Sequence, residues 1–431
     1  MKLQGYRGKG KSLLERYGVG MGDLVLIATK GGAFEGILMP RYEFADEEHI
    51  VVKLKNGYNV GIRVEEVDSI KVFERHEIWR KERPEFERVT GLPKVKLIGT
   101  GGTIASRVDY RTGGVSPAMT AEDLYALVPE LKELADLSVE NLLNVYSENM
   151  TPSLWSRIAT EAYNALKGGF SGVVIAHGTD TMHFTSAALS FAIENPTGPI
   201  ILVGAQRSSD RPSSDAATNL IAAVRVAIHP EVGGVFLSMH YGLDDDLIAL
   251  HRGIRVRKNH TSRRDAFESI DEEPAILVRG DRVLLRRTFP KGEMKLHAEF
   301  SDQAFLLKFF PGMEPEIVDY LVERGYEAII IEGTGLGHVS SAMIPKLEEA
   351  VEKGVFVGMV SQCIWGSVRM TVYETGRELL RVGVVPLEGV TPETAFVKAS
   401  WLLGQGLKGT DLAEAMKTDL RGEVLERRLS I

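Results

Sequence analysis

The sequence predicts an α/β protein: two doubly wound domains preceded by a small N-terminal β-barrel. Three observations predict it. Between residues 20 and 73, short apolar runs alternate with turn residues. Beyond Val95 the rhythm changes to strand, helix, strand, the pattern of a mostly parallel sheet. A further set of strands and helices then follows from about residue 316 onward.

Taken in order, Gly5-Tyr6-Arg7-Gly8-Lys9-Gly10-Lys11-Ser12 has the letters of a P-loop. That loop needs a buried strand before it. Only a few polar-leaning residues precede Gly5, so the segment reads as a mobile basic terminus. Asp23 to Thr29, Ala33 to Met39, His49 to Leu54, Tyr58 to Val64 and Ser69 to Phe73 read as strands. Gly31-Gly32 makes a turn, and Asn56-Gly57 is a strong hairpin signal. Together they predict an SH3-like or Sm-like barrel over residues 1–75. Such a barrel docks onto RNA or protein, or serves as a packing or dimerisation module. Residues 76–93, with Arg80-Lys81-Glu82-Arg83-Pro84-Glu85, read as a charged helix and linker.

An α/β domain is expected over 94–285. Val95 to Ile98, Gly172 to Ala176, Pro199 to Val203 and Gly234 to Met239 are its strands. Thr120 to Leu127 and Ser153 to Leu166 are amphipathic helices, each with Ser or Thr placed as N-cap. Ser214 to His229 has a helical pattern. Residues 268–312 read as irregular, with a linker over 286–315. The last domain, 316–431, has strands at Ala328 to Ile331 and Val355 to Val360 and a helix at Ser340 to Glu352. Another helix starts at Thr391-Pro392-Glu393, and a terminal helix, Asp411 to Leu420, is free to serve assembly.

Composition narrows the function classes. The chain has 431 residues, 44% of them hydrophobic and 26% charged, as in water-soluble globular proteins. A net charge of −8 argues against general coating of nucleic acid. Cys363 is the single cysteine, so neither a disulfide framework nor a thiolate metal site is expected, and a reducing cytoplasm fits. The N-terminus lacks the apolar run of a signal peptide, and no stretch approaches the length of a membrane span.

The chemistry gathers at two strand ends. Val95-Lys96-Leu97-Ile98 runs into Gly99-Thr100-Gly101-Gly102-Thr103-Ile104, and Gly172 to Ala176 runs into His177-Gly178-Thr179-Asp180-Thr181. Ligands of open α/β sheets bind at the carboxyl edge, and glycines allow close approach. Thr100 there supplies a hydroxyl nucleophile, which is weak until a base takes its proton. Thr179 and Asp180 add a second hydroxyl and a carboxylate, and a lysine desolvated beside them is a candidate base. Backbone N–H groups of the glycine loops suit a developing oxyanion. The reaction class is metal-free acyl transfer from an amide or ester; caps and turns are the competing use of these threonines. Other motifs carry less. Gly99-Thr100-Gly101 fails as a dinucleotide fingerprint because Ile104 stands where Gly or Ala is needed. Gly333-Thr334-Gly335-Leu336-Gly337 reads as a tight strand-to-loop turn. His177 and His183 lack metal-ligand spacing and read as satisfied structural residues, and Arg252 to Arg264 reads as a solvated basic surface.

At these residues the chain resembles the L-asparaginase family of amidohydrolases, from about Lys94 to Gln405. Thr100-Gly101-Gly102-Thr103-Ile104 is similar to its first signature and His177-Gly178-Thr179-Asp180-Thr181 to its second. The resemblance implies asparaginase-like domains, with Thr100 as nucleophile and Thr179, Asp180 and Lys258 as a linked second set. It implies Tyr110 as a catalytic residue from the loop after the first motif. Ser147 and Glu148 of Ser147-Glu148-Asn149-Met150, with Gly101 and Gly178, would bind substrate. Gly204 to Arg207 and Ser214-Asp215 resemble the stretch after the second site, and Glu374 is only loosely aligned with the family's third acidic partner. A small barrel ahead of such a core resembles the D subunits of archaeal glutamyl-tRNA(Gln) amidotransferases. That resemblance implies a glutaminase, using glutamine or asparagine, that supplies ammonia to a partner E subunit acting on Glu-tRNA(Gln). It implies a cytoplasmic homodimer with no membrane role and no cofactor of its own, ATP and Mg being used by the partner. A free-standing asparaginase with an accessory domain and an inactive asparaginase-fold RNA-binding or scaffold protein are the alternatives.

Overall fold

The structure, a computed structural model, describes residues 3, 5–41, 45–54, 59–75, 91–101, 106–109, 114–117, 125, 128–207, 214–289 and 292–424. The expected strands near the N-terminus form at Leu24–Thr29, Gly32–Leu38, His49–Leu54, Asn59–Arg63 and Val67–Glu74. They lie in one antiparallel sheet, in the order Asn59–Arg63, His49–Leu54, Gly32–Leu38, Leu24–Thr29, Val67–Glu74. The two edge strands do not pair with each other, so this is an open sheet and not the closed barrel expected. Only the 3-10 turn Val64–Glu66 joins those edges. Four strand spacings of about 4.8 Å exceed what three residues can span at ~3.5 Å each. The sheet must therefore curl strongly, yet it stops short of closing its ladder. The Asn56-Gly57 turn and the charged helix-and-linker stretch over 76–90 lie outside the described residues.

The basic N-terminal segment is a helix, Gly8–Arg16, rather than a mobile terminus. Leu14 is fully buried against the sheet beside Val25, Ile27 and Val52. The Tyr6 hydroxyl donates to Met39 O at 2.9 Å and accepts from Val51 N at 2.9 Å. Burial pushes its pKa up to about 12. Apolar anchors thus outweigh the solvation of the lysines, which project outward.

The central sheet has eight strands. Five parallel ones run Asp136–Asn141, Lys94–Gly99, Gly172–Ala176, Pro199–Val203, Gly234–His240 across it. In chain order this is 2-1-3-4-5, so the winding reverses between Lys94–Gly99 and Gly172–Ala176. Three antiparallel strands, Ile248–Arg252, Ile276–Arg279 and Arg282–Leu285, complete the other side. Both faces are covered. Val95, Leu97 and Val174 pack beneath the helix Ala216–Ala227, while Ile98, Val173 and Ile175 meet the helices Pro152–Lys167 and Met182–Ala192. Strand side chains alternate between faces, which is why these strands read as unbroken apolar runs. Of the helix expected over Thr120 to Leu127 only Tyr125 is described; its hydroxyl donates to Ala135 O and accepts from Leu137 N. In Pro152–Lys167 the expected cap is not made: Ser153 lies inside the first turn, Thr151 precedes the helix without capping it, and Pro152 removes one of the N–H groups that would need a partner.

Residues 268–312 are not irregular. They supply the Ile276–Arg279/Arg282–Leu285 hairpin and Ala304–Lys308, which opens the second sheet inside the stretch expected as a linker. That sheet is parallel, in the sequential order Ala304–Lys308, Ala328–Gly333, Phe356–Ser361, Val385–Pro386. Helices Glu316–Glu323, Ile344–Glu352 and Glu374–Arg381 cover one face. The other face meets Pro392–Gly404 and Gly409–Lys417. Leu412 and Met416 of the terminal helix are buried there, so its apolar side is used within the chain rather than left for assembly. Phe191 and Ala188 of the first domain join the same cluster, making the two domains one body.

The basic run also departs from expectation. Arg255 is buried and donates to the carbonyls of Gly389, Glu423 and Ile270, while Arg252 donates to those of Arg421 and Gly422. Backbone oxygens far along the chain replace the solvent these arginines would otherwise need. Among the described residues no helix is long and apolar enough to cross a membrane.

Candidate functional site

The winding reversal puts the ends of Lys94–Gly99 and Gly172–Ala176 side by side, with Gly99 paired to Ala176. In open α/β sheets this is where ligands bind. Thr100 follows Gly99 and is buried; its N–H and its hydroxyl both donate to Ala176 O, at 3.0 and 2.9 Å. Its carbonyl accepts from Val145 N. Gly101 has φ 113°, and a Cβ there would lie 2.2 Å from Val145 O. Only glycine fits, so the chain leaves the strand pressed against its neighbour.

His177 to Thr181 form the facing loop. Thr179 Oγ1 accepts from Lys258 Nζ at 2.8 Å, and the same ammonium donates to Asp180 Oδ1 at 2.7 Å. Lys258 arrives from the hairpin Val256–Lys258/Phe267–Ser269, where it pairs with Phe267. Its side chain is 8% exposed and that of Asp180 is 70% exposed, so the ion pair spans from the protein wall into solvent. Ser147 is buried in the turn Ser147–Asn149, and its carbonyl accepts from the Thr181 hydroxyl at 2.6 Å. A Cβ on Gly178 would meet Ser147 Cβ at 2.8 Å, so the loop and the Ser147 turn touch. Glu148 is exposed beside them.

The structure therefore joins Thr179, Asp180 and Lys258 directly, and sets Thr100 and Gly101 on the adjoining strand end. Ser147 and Gly178 close one side. Tyr110 and the rest of the first motif, 102–104, lie outside the described residues. Glu374 is exposed at the start of its helix. A cavity of about 440 Å³ lined by Glu194, Arg252 and Arg421 contains none of these residues.

The stretch after the second site, Gly204 to Arg207 with Ser214-Asp215, enters the sequence reading only as a resemblance, and the structure shows what it does. A Cβ on Gly204 would lie 2.7 Å from Thr179 Cγ2, so Gly204 leaves room for the hydroxyl-bearing loop. Asp215, fully buried, accepts from Gln206 N at 3.0 Å and Arg207 N at 2.9 Å and so ties down the segment after Gly204. Thr334 N and His338 O bond across the turn that imitated a nucleotide loop. His177 is fully satisfied, as expected: Nδ1 lies 2.7 Å from Gly178 O and Nε2 2.9 Å from Thr185 Oγ1. His183 is not: its Nδ1 has no partner among the described residues, and Nε2 lies 4.0 Å from Glu393 Oε1. Burial pushes His177 down to about 4 and His183 to about 3, so both are neutral near pH 7.

Gly101→Ala tests the close approach at the first strand end. Forcing a Cβ against Val145 O must displace Thr100, and a shift near 1 Å costs about a hundredfold in turnover. Steady-state amidase rates should show that loss, and unchanged rates would refute the role of the contact.

Comparison with known proteins follows the same division. Residues 94–291 match the family described as Asparaginase, N-terminal, and 303–416 the Glutaminase/Asparaginase C-terminal domain. Residues 19–73 match the GatD N-terminal domain. The chain is 47% identical to the D subunit of the glutamyl-tRNA(Gln) amidotransferase of Thermofilum pendens, over 98% of this chain and 97% of that one. It is 48% identical to the D subunit of the same enzyme from Methanopyrus kandleri, over 98% and 95%. The thermostable L-asparaginase from Thermococcus kodakarensis superposes with a TM-score of 0.71 at 30% identity, covering 77% of this chain and 99% of itself. L-asparaginase I from Vibrio cholerae gives 0.67 at 29%, covering 78% and 100%.

Proposed function

The chain belongs to the family of glutamyl-tRNA(Gln) amidotransferase D subunits, and from that premise we propose that it is the glutaminase of a tRNA-dependent amidotransferase. The observation that carries the chemistry is the Lys258–Thr179–Asp180 set beside Thr100 at the winding reversal.

In this reading the Thr100 hydroxyl attacks the side-chain amide carbon of glutamine, or of asparagine. The oxyanion forms beside the backbone N–H groups of Gly178 and Thr179, which have no acceptor among the described residues. The C–N bond breaks as the nitrogen takes a proton, ammonia leaves, and Thr100 holds the acyl group as an ester. Thr179, Asp180 and Lys258 then order a water and move its proton, and hydrolysis returns the free threonine and glutamate. Ser147, Glu148, Gly101 and Gly178 hold the amino-acid end of the substrate, and Tyr110 serves the first proton transfer. The chain needs no cofactor for these steps. Ammonia passes to a partner E subunit, where ATP and Mg activate the glutamate carried on tRNA(Gln). The chain works in the cytoplasm, as a homodimer within that complex.

Ammonia release from glutamine and asparagine, with and without partner and charged tRNA, tests this. The isolated chain should hydrolyse glutamine weakly, and the complete complex with Glu-tRNA(Gln) should raise the rate strongly. Fast asparagine hydrolysis by the chain alone, indifferent to partner and tRNA, would show a free-standing asparaginase instead.

A further inference from the structure

Three buried side chains behind the second strand end form a continuous hydrogen-bonded chain. Trp155 lies in Pro152–Lys167, Thr185 in Met182–Ala192, and His177 at the end of Gly172–Ala176. They are respectively 4%, 0% and 1% exposed. Trp155 Nε1 is 3.1 Å from Thr185 Oγ1, which is 2.9 Å from His177 Nε2; His177 Nδ1 is 2.7 Å from Gly178 O.

Donors and acceptors along this chain admit one assignment. The Gly178 carbonyl only accepts, so His177 Nδ1 carries the proton. Burial holds the imidazole neutral, so Nε2 is bare and accepts. The indole N–H only donates, so Thr185 receives it and turns its own proton toward Nε2. Every bond therefore points from Trp155 toward Gly178.

We infer that Thr185, through His177, is a positioning residue that fixes the plane of the Gly178–Thr179 peptide in the amidohydrolase site. The inference rests on the amidohydrolase reading given above. The peptide is trans, so a carbonyl held toward His177 turns the Thr179 N–H the opposite way, out of the protein wall. Ser147 blocks the other side of Gly178, which leaves the peptide little freedom. The same plane sets where Thr179 Oγ1 meets Lys258.

Thr185→Val keeps shape and removes the donor; Thr185→Ser keeps the donor. In the complete complex, Thr185→Val should lose about tenfold in kcat for glutamine while KM changes less than about twofold, and Thr185→Ser should recover most of the rate. Nitrogen NMR of histidine-labelled wild-type protein should show His177 as the neutral Nδ1–H tautomer. Wild-type rates in Thr185→Val, equal losses in both variants, or a neutral Nε2–H tautomer would each overturn the inference. Lys258→Ala assayed alongside keeps the two questions apart: it must be inactive if the amidohydrolase reading holds, whatever Thr185 does.

Discussion

Lys258→Ala should reduce ammonia release by about 10³-fold or more while the protein stays folded. Among the described residues the lysine is the one group bonded to both Thr179 and Asp180, so its removal separates the second hydroxyl from its carboxylate. Proton transfer by a positioned side chain contributes roughly 10²–10⁴-fold, and groups acting as a unit are lost together. Stability should change little, because Val256, two residues earlier on the strand, and Phe267, the residue paired with Lys258, anchor the hairpin in the core. Lys258→Arg separates two roles. A guanidinium restores the charge and the bond to Asp180 but does not give up a proton. If Lys258 moves protons, the arginine variant is nearly as inactive as the alanine variant; if it only supplies charge, much of the rate returns. Near-normal release from Lys258→Ala would remove the lysine from the mechanism, and with it the assignment of the Thr179–Asp180 pair.

Much of the site was legible because glycines at strand ends are legible. Gly172–Ala176 and Pro199–Val203 form with the bounds the apolar runs indicate, and Thr100 and Thr179 follow from where such runs stop. Lys258 is different. It sits 79 residues from Thr179 on a three-residue strand, and no local pattern marks it. The resemblance to asparaginases pointed to it, and the hairpin with Phe267 explains how it arrives. Thr185 and Trp155 were hidden for a similar reason: Trp155 sits on the buried face of an amphipathic helix and Thr185 in a helix buried nearly all round, and only packing shows that the two helices share a hydrogen bond.

The errors have physical causes too. Ile276–Arg279 and Arg282–Leu285 are joined by Gly280-Asp281, with φ +57° at Gly280, a two-residue hairpin signal hidden among flanking charges. Arg252 and Arg255 read as solvated because local sequence does not show carbonyl partners 134 to 170 residues away. The open N-terminal sheet shows the limit of strand counting: five strands and a short final connection were readable, but whether the edges bond depends on accumulated twist.

Lys398→Met should destabilise the protein by about 3–5 kcal/mol, the usual cost of stripping one partner from a buried ion pair. Its helix, Pro392–Gly404, is buried nearly all round, so the lysine has no route to solvent. Instead Nζ meets Glu423 Oε1 at 2.5 Å and donates to the carbonyls of Met416 and Thr418, at 3.1 and 2.5 Å. Glu423 in turn accepts from the N–H groups of Leu420 and Arg421. The pair thus fastens the end of the terminal helix and the turn beyond it to the domain junction. Burial pushes the Lys398 amine down; burial also pushes the Glu423 carboxyl up, but the ammonium beside it wins and holds it below its ordinary 4.5. A carboxyl lowered by folding stabilises the protein fully above its unfolded pKa and less as pH falls through the folded one. The wild type should therefore loosen at acid pH around residues 409–424, and Lys398→Met should already be loose at pH 7. Hydrogen exchange of those amides, with the melting temperature, reads both. Lys398→Met with Glu423→Gln should recover part of the loss, because no charge is then left buried alone. A single Lys398→Met variant that melts and exchanges like wild type would show that the junction holds the terminal helix by apolar contact alone.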